Sequence, residues 1–311
     1  MGRRKNVLKY DFVRVPQPLF EPTNIIRVGD TLIDTWHVKG AGGSAWAEPL
    51  ESGFLEGVTQ VIITHPHVDH VTASASFPQL AEMPHIVFKG AELVIRNIVQ
   101  YLSDSQKEGQ EILSLADKEL GELTRMMGNV IFPWDRTYLD VNISRLVQSG
   151  DEIRAGEVVL KAIHTPRHEA NHMMLFHEPS GTLFSGDLVR NNARFSRAPR
   201  TPNLADYERS LRLALDLNPK LIVPSHGDVI ENPIELINKC LANVQDTKRR
   251  ILDFLANHKE ASHADIAKGI FEVADQLHMM AVSSSMWGFF EGLEEEGKIV
   301  FDRDRGLARL P

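Results

Sequence analysis

The stretch Thr64-His65-Pro66-His67-Val68-Asp69-His70 gathers three imidazoles and a carboxylate in the pattern H-x-H-x-D-H. His65 and His67 stand two apart, and on extended chain such residues project to one side, so their rings can share a metal ion. Asp69 and His70 follow as the chain turns and can address a second ion. Two histidines do not fill a coordination sphere, so further ligands are expected at the ends of other strands. The sole cysteine, Cys240, excludes a thiolate-rich zinc centre and any disulfide framework within the chain. It neighbours no motif and reads as a small buried hydrophobe.

The elements that must position these groups are legible as alternating patterns. Residues 24–28 and 31–35 read as a hairpin turning at Gly29-Asp30, and 58–64 as a buried strand that ends in the histidine cluster. From Ala91 to about Gly128 the apolar spacing becomes helical. Strand signals return at 158–164 and 181–187, a helix is expected from about Leu204 to Leu217, and 221–224 is another short buried strand. Strands followed by helices, with polar residues gathered at strand ends, indicate a layered α/β domain. After Asn232-Pro233 helical periodicity takes over, as in Val244 to Leu255. Ser262 then caps a helix, a third runs from about Ser284 to Glu296 with Gly297 closing it, and 298–310 forms a hairpin. The expected organisation is a domain over 1–238, with a helical insertion at about 91–140, and a small winged-helix-like domain over 239–311.

Three further motifs each follow a β-type run: His164-Thr165-Pro166-Arg167-His168, Ser185-Gly186-Asp187 and Pro224-Ser225-His226-Gly227-Asp228. In this order, behind H-x-H-x-D-H, they resemble the metallo-β-lactamase superfamily over roughly residues 20–232. The resemblance implies an αββα sandwich. It also implies that His168 joins His65 and His67 on the first ion, that His226 completes the second with Asp69 and His70, and that Asp187 bridges both. His172 and His164 flank the third ligand. Each reads equally well as orienting a ligand or as a satisfied structural histidine. Trp36, Arg167 and Glu169 depart from the commonest forms of the family, so no particular subfamily's substrate carries over.

The chemistry this implies is hydrolysis by a hydroxide held between two divalent ions about 3.5–4 Å apart, attacking a small ester, thioester or lactone, with Asp69 accepting a proton as the intermediate breaks down. Five neutral imidazoles and two carboxylates suit Zn(II), and Mn or Fe can occupy the same donors. Two alternatives share the ligands: a metal-dependent ribonuclease or phosphodiesterase, and an iron-dependent dioxygenase. Charge argues against nucleic acid as a partner. The chain carries a formal charge of -8, and residues 241–311 hold nine Lys and Arg against twelve Asp and Glu. The C-terminal region is expected instead to dimerise the protein or close its cleft. Phe132, Trp134 and Tyr138 are candidates to roof an apolar pocket, or simply to pack an extra layer. The basic N-terminal stretch lacks an apolar segment behind it, and no run approaches the ~18 apolar residues of a membrane span, so a cytoplasmic, membrane-free protein acting on a small molecule is expected.

Overall fold

The computed structural model describes residues 8–17, 21–37, 51–131, 140–166, 169–193, 195 and 204–311. A six-stranded sheet takes the order β1 (Asp11–Val15), β2 (Thr23–Val28), β3 (Thr31–Ile33), β4 (Gln60–Ile63), β5 (His85–Phe88), β6 (Ile143–Val147). Its first pairs are antiparallel and its last three parallel, so β4, the strand leading to the histidine cluster, lies between parallel neighbours. Val61-Ile62-Ile63 is wholly buried, as a central strand covered on both faces requires. The second sheet has five strands in the order β11 (Leu221–Pro224), β10 (Thr182–Gly186), β9 (Met173–His177), β8 (Val158–His164), β7 (Glu152–Ala155).

The period-two alternation of side chains sorts residues into layers. Ile26, Ile33 and Ile62 of the first sheet meet Leu160, Leu175, Phe184 and Val223 of the second in the core between them. Ile25, Leu32 and Ile63 face the other way, against helices α1 (Val68–Val71), α2 (Pro78–Ala81), α3 (Ala91–Arg96) and the start of α4 (Ile98–Ala116). The outer face of the second sheet, through Ile163, Met174, Leu183 and Ile222, packs on α6 (Leu204–Asp216) and α7 (Pro233–Ala256). The result is the four-layered αββα arrangement.

Helix α7 shows why the outer layer holds. Its buried positions, Pro233, Ile237, Cys240, Val244, Lys248, Ile251 and Leu255, recur every three or four residues as one stripe. Lys248 is the polar member of that stripe, and its ammonium meets Glu208 of α6 at 2.7 Å and Glu296 at 2.6 Å. The boundary expected between residues 238 and 239 falls inside this helix. Beyond it come β12 (Ala261–Ser262), α8 (His263–Ile270), α9 (Gln276–Glu295), β13 (Val300–Asp302) and β14 (Leu307–Arg309), the strands pairing as β12-β14-β13. Ser262 caps α8 in a reciprocal box with Asp265. Helix α9 begins eight residues before the expected start, because Asp275 caps it by accepting from the His278 N–H.

The helical insertion consists of α3, α4 and α5 (Lys118–Ile131). Ile112, Leu113 and Leu120 share one core with Ile270, Met279 and Met286 of the C-terminal helices. Phe132, Trp134 and Tyr138 lie outside the described residues. Among the described residues, no helix is long and apolar enough to cross a membrane.

Candidate metal centre

The ends of strands from both sheets converge on one place. β4 stops at Ile63, and Thr64 to His67 lead directly into α1, whose first turn carries Asp69 and His70. β10 ends at Gly186 and delivers Asp187; β11 ends at Pro224 and delivers His226. The two sheets are stitched together here by backbone hydrogen bonds from Asn24 N–H to the Ser225 carbonyl, 2.7 Å, and from Met173 N–H to the Thr64 carbonyl, 2.9 Å. The ring centroids of His65 and His67 lie 4.7 Å apart, those of His65 and His70 4.0 Å, and those of His70 and His226 5.3 Å.

Within this cluster, candidate ligand atoms of His65, His70 and Asp187 all lie within 4.8 Å of one another, and so do those of Asp69, His70 and His226. Asp69 spans two rings, with Oδ1 3.5 Å from His70 Nε2 and Oδ2 3.1 Å from His226 Nε2. Asp187 Oδ1 stands 3.7 Å from His70 Nε2 and 3.4 Å from His226 Nε2. His67 sits beside His65 and turns its Nε2 to within 3.5 Å of the Tyr101 hydroxyl on α4. Arg167 and His168 lie outside the described residues. The His172 ring centroid lies 5.1 Å from that of His65.

Asp34, which sequence reasoning did not single out, is the hub. It follows β3 in a left-handed backbone conformation, φ +60, that Asp tolerates better than most residues. Its buried carboxylate accepts from Thr64 N–H at 2.7 Å, Thr64 Oγ1 at 2.8 Å, Ser225 Oγ at 3.0 Å and His70 Nδ1 at 2.9 Å. Three strand ends are thereby fastened together, and His70 is locked with Nε2 facing Asp69 and Asp187. The available signal was an acidic residue closing the buried run Thr31-Leu32-Ile33.

The two flanking histidines part company. His172 Nε2 accepts the Asp187 backbone N–H at 3.0 Å, while its Nδ1–H donates to Thr165 Oγ1 at 2.8 Å, so this ring fixes the backbone of Asp187. Gly186 makes room for it, since a Cβ there would stand 2.5 Å from His172 Nε2. His164 donates to the Ala170 carbonyl at 2.8 Å and stacks on Phe88. Glu169, itself buried, accepts from the Asn171 N–H, and burial pushes its carboxyl up to about 7. Trp36 is likewise fully buried, packed among the residues under α1.

Electrostatics suit a cation. Burial, followed by repulsion from neighbouring rings, holds His65 well below the usual imidazole range; burial brings His67 to about 4. Both are therefore neutral, as ligands must be. Burial also pushes His70 down, but Asp69, Asp34 and Asp187 outweigh it and hold that ring well above its ordinary value. Three carboxylates gathered around one buried ring make a negatively charged pocket that suits a cation. Among the described residues, Nε2 of His70 and Nε2 of His226 are buried beside the Asp69 and Asp187 carboxylates without a hydrogen bond of good geometry, and nitrogens so placed fit a metal.

The sequence profile of the metallo-beta-lactamase superfamily matches residues 27–226, from β2 through the last histidine of the cluster. The chain belongs to this superfamily. It is 25% identical to the probable metallo-hydrolase YqjP of Bacillus subtilis over 319 aligned positions, covering 92% of each protein. It is 25% identical over 242 positions to the thioesterase pkgB of Emericella nidulans, which takes in 76% of this chain and 54% of that protein. The crystal structure of metallo-beta-lactamase family protein TTHA1429 from Thermus thermophilus superposes with a TM-score of 0.74 at 19% identity, over 98% of both chains. The fold of this superfamily member therefore extends through the C-terminal helices and strands.

Proposed function

We propose that this metal-dependent hydrolase holds two divalent ions, most readily zinc, and cleaves a small ester, thioester or lactone. His65, His67 and His168 would hold one ion, Asp69, His70 and His226 the other, and Asp187 both. The observation that carries the reading is the convergence of Asp69, His70, Asp187 and His226, from three separate strand ends, on buried imidazole nitrogens. A pair of such ions supplies hydroxide near neutral pH and polarises a carbonyl.

The chain's own residues do the rest. Asp34 keeps His70 in the tautomer with a bare Nε2. His172 fixes the Asp187 main chain. Asp69, with its side chain 14% exposed against 1% or less for Asp187 and Asp34, is the most accessible of the three carboxylates, and its role is to take a proton as the intermediate collapses. Among carbonyl classes, thioesters are favoured by the likeness to pkgB. Residues 239–311, which we read as a winged-helix-like unit, present more acid than base and so serve the cleft or self-association rather than RNA.

The test is a panel of thioesters, lactones, phosphodiesters and RNA, run with wild type, His67→Ala and Asp187→Ala. Turnover of a carbonyl substrate, abolished in both folded variants, is the expected result. Turnover confined to phosphodiesters or RNA, or variants as active as wild type, would overturn the reading.

A further inference from the structure

Asp187 is asked to serve two ions, yet a carboxylate that swivels about its last bond can give both oxygens to one. The two oxygens of Asp187 are not equivalent here. Oδ1 faces His70 Nε2 and His226 Nε2, at 3.7 and 3.4 Å, while Oδ2 accepts from Nη2 of Arg190. Resting on the two-ion reading above, we propose that Arg190 is the positioning residue that makes Asp187 a one-oxygen bridge, by holding Oδ2 and leaving Oδ1 to both ions.

The loop after β10 is built to deliver that guanidinium. Leu188 and Val189 are buried in the core against the second sheet, and Ala193 beyond them is buried as well. Leu188 N–H returns to the Ser185 carbonyl at 3.0 Å, Ser185 Oγ donates to the Val189 carbonyl at 3.3 Å, and Ala193 N–H closes on the Arg190 carbonyl at 3.1 Å. These contacts turn the chain back on itself, so the side chain three residues after Asp187 lies over its carboxylate. The next residue, Asn191, accepts from Asp228 N–H at 2.8 Å, which ties the same loop to the turn carrying His226. Arg190 is mostly buried, with 23% of its side chain exposed, and its charge also faces Asp69 and Glu21. An arginine suits this task because its planar fork approaches a carboxylate oxygen in one orientation and stays charged throughout.

A guanidinium near two dications also repels them, so the two effects predict opposite signs. If orientation governs, removing Arg190 weakens the second ion; if it were only a competing cation, removal would tighten binding. Loss of a partner that orients a metal ligand typically costs about 10- to 100-fold in affinity.

The experiment is titration of metal-free, full-length protein with Zn(II), read by calorimetry, and with Co(II), read by its visible absorption, alongside thermal unfolding of each metal-free form. Wild type should take two ions. Arg190→Ala should take one near wild-type affinity and the second at least about 10-fold more weakly, with a changed Co(II) spectrum. Should that variant fail to fold, Arg190→Gln, neutral and still bulky, is held to the same criterion. A variant that binds both ions as tightly as wild type, or more tightly, overturns the role given to Arg190 and leaves the two-ion reading intact. Wild type taking fewer than two ions overturns both.

Discussion

Replacing Asp34 by Asn changes one atom and tests whether ligand tautomer is set from behind the cluster. Oδ1 of Asp34 accepts the Thr64 backbone N–H at 2.7 Å, and a main-chain N–H cannot reverse its role, so the amide oxygen of Asn must stay there. The new NH2 then takes the place of Oδ2, which faces Thr64 Oγ1, Ser225 Oγ and His70 Nδ1. The hydroxyls can rotate to become acceptors. The imidazole can accept only by moving its proton from Nδ1 to Nε2, the atom directed at Asp69 and Asp187. A protonated Nε2 cannot bind metal. The variant loses a charge-assisted hydrogen bond worth about 1.5–3 kcal/mol, which corresponds to a fall in metal affinity of roughly 10- to 100-fold at the Asp69, His70 and His226 cluster. Titration of metal-free Asp34→Asn with Zn(II), with circular dichroism to confirm the fold, reads this directly. Wild-type affinity in the folded variant would refute the reasoning.

Acid stability follows from His85, whose ring donates to the Met83 carbonyl at 2.8 Å and accepts from Ser74 Oγ at 2.9 Å, and which burial lowers from 6.5 to about 4. The unfolded chain takes up this proton below pH 6.5 and the folded one does not until about pH 4, so stability falls as pH drops through that window. Denaturant titrations at pH 7 and pH 5 should show wild type losing about 2 kcal/mol more than His85→Gln, and equal losses would contradict the assignment. Gly186→Ala forces a side chain into a positive-φ position against His172 Nε2, and should cost about 1–3 kcal/mol and several degrees in unfolding temperature; an unchanged midpoint would show that the loop relaxes freely. Lys248→Ala leaves Glu208 and Glu296 facing each other in a mostly buried setting and should destabilise by about 2–4 kcal/mol in urea, against no change if the ion triad is incidental.

Much of this architecture is legible in the sequence because its signals are local. The run Val61-Ile62-Ile63 ending in H-x-H-x-D-H reads as a buried strand delivering polar residues to its end, and Ser262 with Asp265 reads as a helix start. β1, β5, β6, β7 and β9 do not stand out. β1 and β6 are sheet edges that mix apolar residues with Asp11, Arg14 and Arg145, and β9, Met-Met-Leu-Phe-His, is buried throughout and so shows no alternation. The same limit applies to the centre. The residues proposed as ligands follow one another in recognisable motifs, whereas Asp34 and Arg190 act through partners: Asp34 reaches Ser225, 191 positions away, and Arg190 depends on a loop conformation that no spacing encodes.

Two ions at the strand ends, held within one set of seven side chains, are the proposition on which the chemistry depends. Anomalous diffraction at the zinc edge, from crystals of the zinc-loaded protein, tests it most directly. Two peaks about 3.5–4 Å apart are predicted, one against His65, His67 and His168, the other against Asp69, His70 and His226, with Asp187 touching both. A single peak, or peaks away from these residues, would contradict it.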